Sequence, residues 1–516
     1  MKDLILTIDN GTQSLRALVF DGQGTLIDKE RVVFSEFSAP KPGWVEQDPE
    51  DFWSALCQTC QALWQKGIDK SRIAGVTVTA QRGTVINVDQ AGKPLRPSIS
   101  WLDQRKTENQ PDLKGAWGML FKVTGLRNTI RYFQSEAEAI WLIQNQPELW
   151  EKTHKYLFVS GYLNFKLTGE FNDSLGSQVG YLPFDYKKHR WAPQWDWKWK
   201  ALPIRPDMLP DLKAPGQVLG EISRQASVET GLPEGLPVYA AAADKACEVL
   251  GSGSLDPSMG CLSYGTTATI NVTSEKYMEA IPLLPAYPSA APGYYNMEVQ
   301  IFRGYWMVSW FKDQFGFPEA KKALELGLPP EALFDDLVNQ VPPGSMGLML
   351  QPYWSPGLRK PGPEAKGAII GFGDVHTRAH LYRAILEGLA YALKEGKEQI
   401  EKKTKIPITR LMVSGGGSQS DAAMQLTADI FGLPTARPNL YETSGLGAAI
   451  DVALGLGFHS DIHSAVHEMT HQGDVFEPNS QHHQLYERLY EEVYKKMYPK
   501  MRPLYERIRD ITGYPK

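Results

Sequence analysis

Long apolar runs are what this sequence lacks most plainly. No stretch is long enough to span a bilayer as a helix. The N-terminal MKDLILTIDNG enters an apolar strand at once and lacks the layout of a signal peptide. Cysteine is scarce, four in 516 residues, which excludes a disulfide framework and suits a reducing compartment. A cytoplasmic location is therefore expected. An excess of either charge is missing too: the net charge of −5 gives no general attraction to nucleic acid or to acidic membranes. What remains is the composition of a globular protein, 42% hydrophobic and 22% charged. The chain is too long for one ordinary core, so two domains of similar size are expected.

The richest stretch is the first, Leu4 to Asp21, reading LILTIDNGTQSLRALVFD. An apolar strand from Leu4 to Ile8 delivers Asp9 to a tight turn, and a second strand from Arg16 to Phe20 leaves it. Gly11 has no Cβ, so the backbone there can take a positive φ or approach a ligand. The turn's N–H groups, with the Thr12 and Ser14 hydroxyls, can form an anion-binding concavity. Asp9 could hold a magnesium ion, which prefers oxygen ligands and keeps several waters. On these residues alone, a plain hairpin with a polar turn fits equally well.

Gly24 to Phe34 reads as a third strand, completing a meander. Asp48-Pro49-Glu50 starts a helix with Phe52, Trp53, Leu56, Cys60, Leu63 and Trp64 at helical spacing. Cys57 and Cys60 form a C-x-x-C inside it, away from the strand-to-helix position of a redox pair, and read as core thiols. Ile73 to Thr79 is a strand ending at Gln81-Arg82-Gly83-Thr84, followed by strands at Val85 to Val88 and Ser98 to Trp101. Helices are expected over Gln134 to Asn145, Pro147 to Thr153 and Phe158 to Leu167, then an irregular segment from Asp173 to Asp185. Trp191, Trp195, Trp197 and Trp199 could be sugar or partner platforms. No paired acid or amide set accompanies them, which favours a loop pinned by indole packing. The small-residue strand Pro237 to Ala243 stops at Asp244, a helix covers Lys245 to Leu250, and Gly251-Ser252-Gly253 marks a boundary.

Beyond it the opening theme returns: a strand from Cys261 to Tyr264, a turn at Gly265-Thr266-Thr267, and a strand from Ala268 to Val272. The repeat predicts a duplicated fold with two phosphate turns across a cleft. The domains are then 1–253 and 254–516. A Pro-rich loop spans Ile281 to Pro292, with a strand at Met297 to Phe302 and a helix at Trp306 to Phe315. Lys366 to Phe372 is a strand, and His376 to Lys403 is a long amphipathic helix. The strand Leu411 to Val413 runs into Ser414-Gly415-Gly416-Gly417-Ser418 and a helix from Asp421 to Phe431, a layout suited to a nucleotide. Ser444 to Leu456 is a buried helix. His459, His463, His467 and His471 recur every fourth residue, as metal ligands on one helical face would. With no carboxylate or thiol set to complete a site, a solvated face is the plainer reading. Leu485 to Tyr505 is a tyrosine-rich helical segment, expected to break at Pro499.

Together these motifs resemble the FGGY carbohydrate kinases, the group that includes glycerol kinase, xylulokinase and ribulokinase, over essentially the whole chain. The resemblance rests on Asp9 to Arg16, Trp101-Leu102-Asp103-Gln104-Arg105, Asp244, Gly265-Thr266-Thr267 and Gly415-Gly416-Gly417. Gly367 to Phe372, followed after seven residues by His380 to Gly388, looks like the family's second signature. It implies an α/β, duplicated actin-like (ribonuclease H-like) ATPase fold, with two domains around a nucleotide cleft. It also implies ATP and Mg2+ as cofactors, a small sugar or polyol as substrate, no nucleic acid or membrane partner, and room for a homo-oligomer.

By the same resemblance Asp244 is the catalytic base and, with Asp9, a metal ligand. Gly11, Thr12, Gln13, Ser14, Arg16, Gly265, Thr266, Thr267, Gly415, Gly416, Gly417 and Gln419 hold ATP and its phosphates. Arg82 and Asp103 bond sugar hydroxyls, and Trp101, Tyr132 and Phe133 line the pocket. Glycerol kinases carry Arg-Glu where this chain has Arg82-Gly83, and a different residue at Lys245. Xylulokinases carry Gln-Met-His where it has Gln81-Arg82-Gly83. The missing carboxylate leaves space for an acceptor longer than glycerol. A scaffold that binds nucleotide without catalysis, or a sugar-sensing regulator, is the competing reading; neither needs a carboxylate at Asp244.

Overall fold

The duplication is visible strand by strand in the computed structural model, which describes residues 2–108, 110, 112–281, 284–327, 333–357 and 361–514. Residues 282 and 283 of the expected Pro-rich loop lie outside the described residues. The first sheet is built from β1 (Leu4–Asn10), β2 (Ser14–Asp21), β3 (Leu26–Val33), β4 (Ile73–Ala80), β5 (Val218–Glu221) and β6 (Pro237–Ala240). The second contains β7 (Met259–Tyr264), β8 (Ala268–Ser274), β9 (Tyr295–Ile301), β10 (Arg410–Ser414), β11 (Thr435–Pro438) and β12 (Gln472–Phe476). The order β3-β2-β1-β4-β6-β5 matches β9-β8-β7-β10-β11-β12, and a short strand, Tyr287–Pro288, extends the second sheet beyond β9. Orientations match as well. In each half an antiparallel meander is followed by two parallel neighbours and an antiparallel edge. This is the α/β, actin-like duplicated fold that the motifs imply.

Every residue of β1 is buried, because helices cover both faces of the first sheet. On one side lies α1 (Pro49–Gln65), whose N-terminus is capped by Asp48 and pre-shaped by Pro49. Phe52, Leu56, Cys60 and Leu63 pack from it onto Leu4, Leu6 and Ile8. Cys57 and Cys60 are one turn apart in this helix, and burial pushes the Cys57 thiol up to about 12, as befits an inert core thiol.

The other face is covered from both halves. Here α2 (Asp244–Gly251) follows β6; in the second half come α3 (Arg378–Thr404), α4 (Asp421–Phe431) and α5 (Thr443–Gly455). Although α5 is distant in sequence, it packs on Ile5, Leu18, Phe20 and Tyr239 of the first sheet. It crosses α2 at two glycines. A methyl group on Gly447 would lie 1.9 Å from the Cys247 carbonyl oxygen, and one on Gly251 2.0 Å from that of Thr443. The seam between the halves is therefore a shared core rather than a linker.

Several local expectations are corrected. The helix over Gln134 to Asn145 is two, Arg127–Glu136 and Glu138–Asn145, because Ala137 is extended (φ −78°, ψ 114°) and begins the second. Phe158 ends a strand, Lys155–Phe158, and the helix is Val159–Thr168. The segment Asp173 to Asp185 touches two short strands, Asn172–Ser174 and Phe184–Asp185. Trp191 and Trp199 donate to the carbonyls of Pro210 and Ala192, and Trp197 packs edge-on to Phe121, while Trp195 stays exposed. The histidine ladder does not share one helical face. Only His463 and His467 lie in the helix Ile462–Met469, since Asp461 caps its start and Thr470 is already extended. Among the described residues no group of three or more His, Cys, Asp or Glu could hold a metal ion. The terminal helix Lys495–Thr512 continues through Pro499 and Pro503, held by buried Tyr498 and Tyr505, with a wider turn upstream at Tyr490–Tyr494. No described helix is long and apolar enough to cross a membrane.

Asp451 on α5 is fully buried in the seam, and neither carboxylate oxygen has a partner among the described residues. Burial raises its pKa well above the usual carboxylate range. The folded chain thus keeps a proton that the unfolded chain releases above about pH 4. Stability therefore falls as pH rises through that window. Asp451→Leu is expected to raise the melting temperature at pH 8, by the equivalent of about 1–3 kcal/mol, and to gain less at pH 5. A lower melting temperature at both pH values would refute this.

Candidate active site

The carboxyl ends of β1, β4 and β6 point the same way, because the three strands are parallel neighbours, and ligands bind at such ends. β1 ends at Asp9-Asn10 and turns through Gly11 to Gln13, where the Gly11 N–H donates to the Ser14 carbonyl at 3.1 Å. The register places Arg16 opposite Asp9, with Nη1 3.3 Å from Asp9 Oδ2. Asp9 is buried. Burial raises it to about 7; Arg16 opposes the rise, and Asp244 and Glu442 add to it. Glu442 stands immediately before α5 and reaches Arg16 at 3.5 Å and Lys29 at 2.7 Å, tying the second half to β2 and β3.

At the end of β4, the Gln81 N–H donates to the Asn10 carbonyl at 2.9 Å, bringing Arg82 and Gly83 beside the first turn. Gly83 has φ +73°, a conformation in which an acidic residue would be strained. Arg82 donates to Glu298 on β9 at 3.1 Å and lies 5.3 Å from the Tyr287 ring centre, so the second half supplies both its partners. Trp101 Nε1 donates to Thr12 Oγ1 at 3.0 Å, placing its indole against the first turn. Tyr132 and Phe133, half-buried on the helix Arg127–Glu136, face one another, and Phe133 also faces Tyr181.

Asp103 is placed differently from the role implied for it. Oδ1 accepts from Arg105 N and Nε at 2.8 Å, and Oδ2 from Arg105 Nη2 at 2.7 Å and the Val45 N–H at 2.6 Å. Arg105 also reaches Glu46 and lies over the rings of Trp44 and Trp141. The carboxylate is consumed by this buried network and is not a free acceptor for a sugar hydroxyl.

Asp244 is the first residue of α2, three alanines beyond β6, which ends at Ala240 rather than at the expected Ala243. Burial raises its pKa; Lys245 and Arg82 oppose the shift, as does the Lys245 N–H, which donates to Oδ1 at 2.7 Å. In the second half, Gly265 to Thr267 link β7 to β8, with the carbonyls of Gly265 and Thr266 held by the N–H groups of Tyr305 and Trp306. Gly415 (φ +83°) packs against the Tyr264 backbone, and a methyl group on Gly417 would meet the Tyr305 ring at 2.3 Å. The glycine run forms a short 3-10 turn, Gly416–Gln419, ahead of α4, whose cap is Ser420. Gly416, Gln419, Gln13 and Thr266 are exposed, so these loops keep surface for a ligand.

A magnesium ion with ATP would suit these groups. Asp244 raises the pKa of the buried Asp9, and carboxylates so placed gain from a divalent cation, which needs only one or two protein carboxylates beside its waters and phosphates. Glu298, Tyr287, Glu442 and Glu248 were not legible as site residues. The one sequence signal was an acid between the apolar Met297 and Val299, at Glu298.

Asp103→Ala leaves Arg105 buried with Glu46 as its remaining carboxylate, and is expected to cost about 3 kcal/mol of stability, measured by denaturant unfolding. Unchanged stability with a raised acceptor KM would return Asp103 to the substrate.

Comparison with known proteins accords with this geometry. The model of the FGGY family of carbohydrate kinases, N-terminal domain, matches residues 4–251, and that of the C-terminal domain matches residues 260–455. The chain is 30% identical over 480 residues to the uncharacterized sugar kinase YgcE of Escherichia coli (strain K12), covering 92% of this chain and 89% of that one. It is 31% identical over 458 residues to a glycerol kinase of Thermococcus gammatolerans (strain DSM 15229 / JCM 11827 / EJ3), covering 87% and 88%. The crystal structure of xylulose kinase from Rhodospirillum rubrum superposes with a TM-score of 0.81 at 26% identity, covering 98% of this chain and all of that one. The chain belongs to the FGGY family of carbohydrate kinases, and it is a sugar or polyol kinase.

Proposed function

We propose that the protein transfers the γ-phosphoryl group of ATP to a hydroxyl of a ketose or alditol longer than glycerol, with Asp244 as the general base. The observation that carries this is the position of Asp244, a half-buried carboxylate with a raised pKa beyond the carboxyl end of a parallel strand. Such a group accepts the acceptor's proton more readily than an ordinary carboxylate does. The turns Gly11 to Ser14 and Gly265 to Thr267 hold phosphates, Arg16 adds positive charge, and Gly415 to Gly417 with Gln419 border the nucleotide. Asp9 and Asp244 hold the magnesium ion, which when bound offsets phosphate charge.

Two features favour a longer acceptor. Gly83 brings no carboxylate to the pocket, and its positive φ disfavours one. Arg82 has its charge answered by Glu298 rather than by a neighbour on its own turn. The buried groups of such a site would be left unpaired by a three-carbon acceptor, at a cost of about 1–3 kcal/mol for each unmade hydrogen bond. Trp101, Tyr132 and Phe133 then line the acceptor side.

Asp244→Asn is expected to lower turnover at least about a hundredfold while ADP binding stays near wild type. Near-normal turnover would remove Asp244 from the role of base. Among glycerol, erythritol, ribitol, ribulose and xylulose, kcat/KM is expected to be lowest for glycerol; glycerol as the best substrate would show that Gly83 was misread.

A further inference from the structure

Lys245 follows the proposed base directly, yet its side chain turns towards the other half. Its Nζ lies 2.7 Å from Glu248 Oε2, one turn along α2, and also donates to Ser263 Oγ. Ser263 and Ser414 are register partners on β7 and β10, one just before the Gly265 turn and the other just before the glycine run. Both hydroxyls donate to Glu248 Oε1, at 2.8 and 2.7 Å. Glu248 is buried and thus anchored across the seam by groups of the nucleotide-facing strands. Burial disfavours the charge of Lys245, but Glu248 and Asp244 outweigh it, so the ammonium stays cationic. A methyl group on Gly265 would stand 3.8 Å from Nζ. An ammonium carries three N–H donors, and Glu248 and Ser263 take two among the described residues. The third donor is not used by these partners, and Nζ lies close to the second turn and within electrostatic reach of Asp244.

We propose that Lys245 contacts the phosphoryl group in flight, and that Glu248 is the positioning residue that holds it there. The inference rests on the kinase reading given above. In the step, the acceptor hydroxyl gives its proton to Asp244 as its oxygen bonds to the γ-phosphorus. The bond from that phosphorus to the bridging oxygen breaks, and its electron pair leaves with ADP. Lys245 keeps its proton throughout and answers the negative charge on the phosphoryl oxygens, the type of fixed charge that contributes most where water is excluded. Lys245 also lines the small cavity it shares with Arg82, Tyr287 and Glu298, but its Nζ is tied to Glu248 and Ser263, and so to the strands that carry the second turn and the glycine run.

The test uses the full-length protein and the variants K245M, K245R and E248Q. Calorimetric binding of AMP-PNP and of ADP, both with Mg2+ and without acceptor, reads the contact apart from turnover. K245M is expected to bind ADP as the wild type does and AMP-PNP about tenfold more weakly, as for loss of a charge-assisted hydrogen bond. Its kcat should fall about a hundredfold with acceptor KM nearly unchanged. K245R should recover part of both effects, and E248Q should fall between wild type and K245M. If K245M does not fold, K245Q, which keeps a polar group near Glu248 and Ser263, is read in the same way. A raised acceptor KM with an unchanged ratio of AMP-PNP to ADP affinity would overturn the proposal and assign Lys245 to the acceptor. If the wild type phosphorylates no sugar or polyol, yet K245M still loses AMP-PNP selectively, the acceptor reading falls and the Lys245 contact stands.

Discussion

The close crossing of α2 and α5 is the contact on which the rest of the molecule depends. One helix begins at Asp244 and the other follows Glu442, so their separation sets the distance between groups that must act together. Gly251 and Gly447 allow the backbones to touch, since a side chain at either position would overlap a carbonyl oxygen of the partner helix. Alanines at positions 448, 449 and 453 and Cys247 complete a seam of small side chains with few rotamers to order. Dense packing of this kind leaves little freedom for the two halves to slide. The cleft inherits its geometry from it.

Above the seam, charges alternate in a way that neither half contains alone. Arg16 of the first half answers Glu442 of the second and Arg82 answers Glu298, while Glu248, paired with Lys245 on its own helix, is held by Ser263 and Ser414 of the second half. Buried ion pairs of this kind contribute little net stability, because desolvation offsets their attraction, but they penalise any arrangement that separates them. They therefore favour one relative placement of the halves. Asp9 is paired with Arg16, and Asp244 has Lys245 and Arg82 nearby, yet burial outweighs these cations. Burial raises both, and each lies where a cation or a proton would be welcome.

The same partition explains which elements could be read directly. The helices Trp306–Phe315 and Asp421–Phe431 lie where periodicity puts them, since their apolar faces and flanking glycine or serine are local signals. The first turn was legible because a strand, a glycine and two hydroxyl residues sit within a few positions. The strand Lys155–Phe158 was not, because it runs into a helix with no turn residue between them. The break at Ala137 carries no glycine or proline and arises from packing. Asp103 invited a role at the substrate because of its neighbours in sequence, and Arg105, Glu46 and Val45 claim it in space.

The sequence by itself determined the family, the duplicated α/β plan and the two glycine-threonine turns, because each rests on residues adjacent along the chain whose backbone demands are local. Tertiary structure alone decided which carboxylate faces which cation. Glu298 reaches Arg82 across 216 residues, and Ser414 reaches Glu248 across 166. Pairings so distant leave no periodic or compositional trace. They depend on where two separately wound sheets come to rest against a shared pair of helices, and charge complementarity acts only once hydrophobic burial has brought those surfaces together.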